Sequence, residues 1–192
     1  TATSMTIAIS EIVERAKALI AHPSQQTDLM EAEPEVQGFI RDCAVPMLHD
    51  LGLDGRFAQM GNWVGRFGTE EGPSMLLVTY AMPHPGAAMP DPFHPEIVDD
   101  LGEPALRGRG VAEQKGAMAA AFSAVASIAA EPGLAGEIVL AVSSAGETGR
   151  HDAIRMILDN LKRKPDLAVI ALGTDSRVSL GNKGLIDFDV VV

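Results

Sequence analysis

Three apolar runs constrain this chain most: MLLVTY at 75–80, EIVLAVS at 137–143 and DLAVIAL at 166–172. Each is strand-length and bounded by Gly or Pro, and none shows the polar alternation of a strand with one wet face. Such runs belong to strands covered on both sides. Between them lie helical stretches. Residues 113–130 are rich in alanine, which favours helix and lets it lie close to neighbouring backbone, and residues 150–161 are amphipathic. Buried strands alternating with helices pair in parallel through crossover connections, which predicts an α/β sandwich.

The remaining segments are read in the same way. Ile9, Ile12, Val13, Ala16 and Leu19 or Ile20 recur at helical spacing within residues 5–20, and His22-Pro23 closes that helix. A polar stretch, Ser24 to Glu33, leads to a second helix from Pro34 to Leu51, with proline tolerated in its first turn and Pro46 as a kink. Residues 57–67 form a hairpin or bulged strand around Gly61-Asn62. Residues 83–104 hold six prolines and no periodicity, so they are expected to be a long loop. In GLIDFDVVV, at 184–192, Ile186, Phe188 and Val190 alternate with Asp187 and Asp189, the pattern of a half-buried strand. Because the chain stops inside that strand, it is expected to be truncated or completed by another polypeptide.

Composition narrows the function. The 192 residues suit one domain, and 15 basic against 26 acidic residues give a net charge of −11. That balance argues against nucleic-acid or anionic-membrane partners, which need clustered Lys and Arg, and favours a small molecule or a protein. The single cysteine, Cys43, allows no intrachain disulfide and suits a reducing cytoplasm. No run is long and apolar enough to span a bilayer.

Ligands of open α/β folds bind beyond the carboxyl ends of the strands. Four loops fall there: 81–95, 108–116, 144–151 and 172–184. The second, GRGVAEQKG, lacks the spacing of a phosphate-binding loop and carries Glu113 where a dinucleotide fingerprint needs its third glycine. Its plainer role is a carboxylate at a helix start, stabilised by the helix dipole. His94-Pro95-Glu96 matches the first part of a zinc-deaminase signature, but no P-C-x-x-C follows. Neither a G-x-S-x-G elbow nor an H-E-x-x-H helix is present.

The order GNWVG (61), MLLVTYAMPHPG (75), DPFHPEIVD (91), GRGVAEQKGAMAA (108), SSAGETG (143), PDLAVIALGT (165) and GNKGLID (181) resembles the co-catalytic zinc metallopeptidase superfamily of aminoacylase, acetylornithine deacetylase, succinyl-diaminopimelate desuccinylase and carboxypeptidase G. The resemblance runs from about Val36 to Val192 and marks a divergent, amino-terminal half. It implies a three-layer α/β/α sandwich with a mostly parallel, mixed sheet of the phosphorylase/hydrolase type. Residues 1–183 would be an incomplete catalytic domain, and 184–192 the first strand of a lid or dimerisation domain. The implied activity is hydrolysis of an amide bond in a small N-acyl or peptide substrate by a deacylase- or peptidase-like enzyme. The implied assembly is a homodimer through the lid, or a partner chain completing the fold. The alternative is a non-catalytic descendant serving as a binding or scaffold subunit.

The resemblance also locates the metal site, and this chain departs from it. The family's first His and Asp ligands correspond to Tyr80 and Met82, its bridging Asp to Glu113, its paired glutamates to Gly146 and Glu147, and a further acidic ligand to Leu172. Zinc needs three or four N, S or O donors. A rebuilt site would therefore draw on Glu113, Glu147, His84, His151 and Asp175, with zinc, manganese or cobalt as the divalent ion and Glu147 as ligand or catalytic base. In extended chain His84 lies about 13 Å beyond Tyr80, so its loop would have to fold back. Arg109 and Lys115 are expected to pair with these acids.

Overall fold

The computed structural model describes residues 7–86, 88–146, 150–175 and 177–181. Helix α1 (Ile9–Ile20) buries Ala16, Leu19 and Ile20. A short 3-10 turn, Met30–Ala32, precedes α2 (Pro34–Phe39), one π-helical turn (Ile40–Ala44) and α3 (Val45–Asp50). The single helix expected over 34–51 is thus bulged at its middle. Pro46 has no N–H to bond one turn back, and the Val45 N–H instead reaches the Ile40 carbonyl five residues earlier.

Strands β1 (Gly55–Phe57) and β2 (Trp63–Gly68) form the expected hairpin, joined by a 3-10 turn in which Met60 and Gly61 have φ of 60° and 72°. Strand β3 (Ser74–Tyr80) follows. Next come β4 (Glu96–Asp100) and β5 (Glu103–Arg107), an antiparallel pair closed by Leu101-Gly102. This corrects the long-loop reading of 83–104. Most of the hairpin is exposed on both faces, so it carries no apolar alternation to betray it, and Pro104 sits opposite Asp99 in a two-stranded ribbon where a missing N–H is tolerated.

A π-helical turn, Val111–Lys115, then leads into α4 (Gly116–Ala129), where one helix was expected from residue 113. Gly110 makes that entry possible in the left-handed conformation, at φ 84°. Strand β6 (Glu137–Ser143), α5 (Asp152–Asp159) and β7 (Leu167–Ala171) complete the described chain.

The main sheet runs β1-β2-β6-β3-β7. β6, β3 and β7 are parallel, and β2 joins β6 antiparallel, which makes the sheet mixed as the resemblance implied. Helices cover both faces. Ile138, Leu140 and Val142 of β6 point to one core with Leu19, Phe39, Ile40, Leu48, Met118 and Phe122, and the alternate residues Val139 and Ala141 point to the other with Leu76, Val78, Ala153 and Ile157. The architecture is therefore an α/β/α sandwich. The expected strand at 184–192 and the domain boundary at 183/184 lie outside the described residues.

Candidate functional site

The parallel strands β3, β6 and β7 all end at one edge of the sheet, and backbone contacts draw their following loops together. After β3, the Ala81 N–H donates to the Ser143 carbonyl (2.8 Å) and the Met82 N–H to the Ala145 carbonyl (3.3 Å). After β7, the Gly173 N–H donates to the Glu113 carbonyl (2.8 Å). Two glycines make this crowding possible. A Cβ on Gly146 would stand 2.1 Å from the Met82 carbonyl oxygen, and one on Gly173 would stand 1.6 Å from that of Ala112.

Glu113 sits at this convergence, on the π-helical turn, with its side chain 23% exposed. One carboxylate oxygen pairs with the Arg109 guanidinium. The other accepts the His84 backbone N–H at 3.1 Å. Arg109 also donates through Nε to the His84 carbonyl (2.6 Å), and its own N–H donates to the Pro92 carbonyl (2.7 Å). The loop after β3 does approach the Glu113 turn, as the sequence reading required. It is the main chain of His84 that binds there.

The other candidates fall elsewhere. His151 is exposed at the start of α5 in a left-handed conformation, φ 61°. Asp175 lies two residues beyond Gly173, with its side chain 91% exposed and 3.7 Å from Arg177. Glu147 lies outside the described residues. Tyr80 and Met82 are buried, at 5% and 1% exposure, each in one of the two cores, and Leu172 packs against the core that holds Tyr80. Where the resemblance expects ligands, these three positions serve apolar packing instead.

Among the described residues, which do not include Glu147, the donors do not form a two-metal centre. Among the described residues no three His, Cys, Asp or Glu side chains converge in a way that would hold an ion, and both Glu113 oxygens already have partners.

Lys115 corrects a second expectation, because among the described residues it forms an ion pair with no acid. It is fully buried, and its Nζ donates to the carbonyls of Leu19 (2.9 Å) and His22 (2.6 Å) at the end of α1, 4.6 Å from the centre of the Phe39 ring. Carbonyls at a helix C-terminus attract a cation. Burial nonetheless pulls this amine from its ordinary 10.5 down to about 7. The same surroundings push the Cys43 thiol up to about 11 by desolvation, against the pull of Lys115.

Two polar supports were not foreseen. The Ser24 hydroxyl donates to the Ala81 carbonyl (2.7 Å), Gln25 Oε1 accepts the Gly86 N–H (3.1 Å), and the Gln26 N–H donates to the Pro83 carbonyl (2.9 Å), so residues 24–26 strap the loop after β3. Asn62, buried, accepts from the Ser144 N–H and donates to the Ala153 carbonyl, both at 3.0 Å, tying the β1–β2 turn to the loop after β6. The Gly-Asn pair was visible as a turn. Nothing in the sequence marked Ser24 to Gln26 beyond polarity.

Neither a protein-family model nor a curated protein sequence matches the chain. Solved structures do. An M20 family metallo-carboxypeptidase from Sulfolobus solfataricus superposes with a TM-score of 0.64 at 16% identity, covering 84% of this chain and 37% of that one. The fold is that of the M20 metallopeptidases. Human carnosine dipeptidase 1 superposes at 0.57 with 18% identity over 84% of this chain and 38% of its own. A tripeptidase from Staphylococcus aureus superposes at 0.55 with 17% identity over 85% and 43%. The chain therefore spans less than half the length of each structure. No helix among the described residues is long and apolar enough to cross a membrane.

Proposed function

We propose that this chain is the amino-terminal part of the catalytic domain of an amide-bond hydrolase of the M20 type, with a rebuilt site at the carboxyl edge of its sheet. The observation that carries the reading is the meeting of the loops after β3 and β7 at the Glu113 turn, through His84 N–H on the Glu113 carboxylate and Gly173 N–H on its carbonyl. Such edges are where α/β enzymes place their chemistry. Glu147, next in sequence to Gly146, is the carboxylate assigned to catalysis: it takes a proton from water as the oxygen adds to the amide carbon, and returns it to the departing amine. Small N-acyl or peptide amides are the proposed substrates. Segment 184–192 is the proposed start of a lid, through which a homodimer would form or a partner chain would dock, and the cytoplasm is the proposed location. Ligation of zinc, manganese or cobalt by Glu113, Glu147, His84, His151 and Asp175 would require Glu113 to release Arg109 and the exposed His151 and Asp175 to turn inward.

The second reading is a non-catalytic descendant that keeps the fold as a binding or scaffold subunit. It is favoured by Tyr80 and Met82, which stand buried where the resemblance expects ligands. Hydrolysis of a panel of N-acyl amino acids and dipeptides separates the two. The hydrolase reading expects turnover that Glu147→Gln abolishes. Turnover unchanged by that substitution removes Glu147 from the chemistry, and no turnover with any amide supports the scaffold.

A further inference from the structure

The Glu113 carboxylate already has a cation. Arg109 lies four residues before it on the same turn, with both side chains about four-fifths covered, and its guanidinium uses two edges at once, one nitrogen on the carboxylate and Nε on the His84 carbonyl. The His84 N–H closes the ring by donating to the second carboxylate oxygen. A guanidinium stays charged at any pH a protein survives, and its planar fork suits two acceptors in a way that the point charge of lysine does not. A dication on either Glu113 oxygen would sit within a few ångströms of that positive charge, in a setting too sheltered for water to screen the repulsion fully.

We propose that Arg109 is the resident cation of this site, closing the Glu113 carboxylate to divalent metal and clamping the loop after β3 to the Gly108–Gly116 turn. The proposal deepens the hydrolase reading, and rests on it only in treating Glu113 as part of the site.

The test uses the full chain, stripped with chelator and titrated with Zn²⁺ or Mn²⁺ alone, with bound metal measured by elemental analysis after gel filtration. The wild type and Glu113→Gln should take up equal amounts. Arg109→Gln should bind the ion with a Kd lowered by about tenfold, the effect of removing one adjacent like charge, and the gain should vanish in Arg109→Gln/Glu113→Gln. Arg109→Lys, which keeps the charge but loses the fork, should exclude metal as the wild type does. Stoichiometric metal in the wild type that Glu113→Gln abolishes would overturn the proposal, as would Arg109→Gln binding no better than wild type. If Arg109→Gln fails to fold, the comparison of wild type with Glu113→Gln still decides. Failure of the hydrolase reading appears instead as absent amide turnover, with these isotherms unaffected.

Discussion

Strands β6 and β7 have nearly the same composition and opposite surroundings. All seven residues of β6 are buried, whereas Leu167, Val169 and Ile170 of β7 remain 56%, 39% and 48% exposed. β6 lies between β2 and β3, with a helical core on each face. β7 has β3 on one side, and among the described residues no strand on the other. An apolar run thus states the environment a parallel strand needs, and its neighbours decide whether it is met. The same contrast divides the site. The loops after β3 and β6 are bonded to each other, strapped by Ser24 and Gln25 and tied by Asn62, while the loop after β7 is anchored through Gly173 and then turns outward to the exposed Asp175.

Truncation of a leucine in each strand probes this contrast with the largest effect. Leu140→Ala in β6 should cost about 3 kcal/mol of unfolding free energy by denaturant titration, since it empties a fully buried site. Leu167→Ala in β7 should cost less than about 1 kcal/mol, because half its surface is already in water. Equal losses would mean that β7 is covered in solution and would erase the distinction.

Gly173→Ala tests the backbone tie that, among the described residues, joins the open edge to the Glu113 turn. Its Cβ would collide with the Ala112 carbonyl, so the loop must move, at a cost of about 2 kcal/mol. A neutral result would show that the loop after β7 does not rest on the Glu113 turn.

The packed side carries a pH signature. Lys115 titrates near 7 when folded and at its ordinary 10.5 when unfolded, so the unfolded chain binds more protons between those values and stability rises with pH. Cys43 is raised from 9.0 to about 11, so above pH 9 it acts in the opposite direction, offsets the Lys115 slope, and stability levels off. From pH 7 to 9 the wild type should therefore gain up to about 2 kcal/mol that Lys115→Met does not gain. Parallel profiles for the two proteins would show that the carbonyls of Leu19 and His22 and the Phe39 ring hold the ammonium at full charge.

The smallest expected effect is the coupling between Arg109 and Glu113. A double-mutant cycle of Arg109→Gln and Glu113→Gln should give about 1 kcal/mol of non-additivity, in keeping with a partly covered ion pair. Additive losses would deny the pair.

How much of this was legible in the sequence follows from the same physics. The three apolar runs located β3, β6 and β7 to within a residue or two, because burial on both faces leaves a continuous signature. The β4–β5 hairpin left none, since most of it faces water on both sides. The Gly108–Gly116 loop was recognisable, and Arg109 does pair with Glu113 as expected. The partners of Lys115 escape a sequence reading because they are backbone carbonyls in and just past the last turn of α1, 96 and 93 residues away, and carbonyls have no sequence identity to read. His84 reached Glu113 through its amide for the same reason. Residue types reveal where charges are, and the chain's path decides which of them meet.

Amide hydrogen exchange at His84 and Gly173, followed by NMR, tests the convergence of the loops on Glu113 most directly. Both amides should exchange slowly in the wild type, and Glu113→Gln should speed His84, which donates to the side chain, while leaving Gly173, which donates to the main-chain carbonyl. Rapid exchange of both amides in the wild type, at the rate of an open loop, would contradict the account.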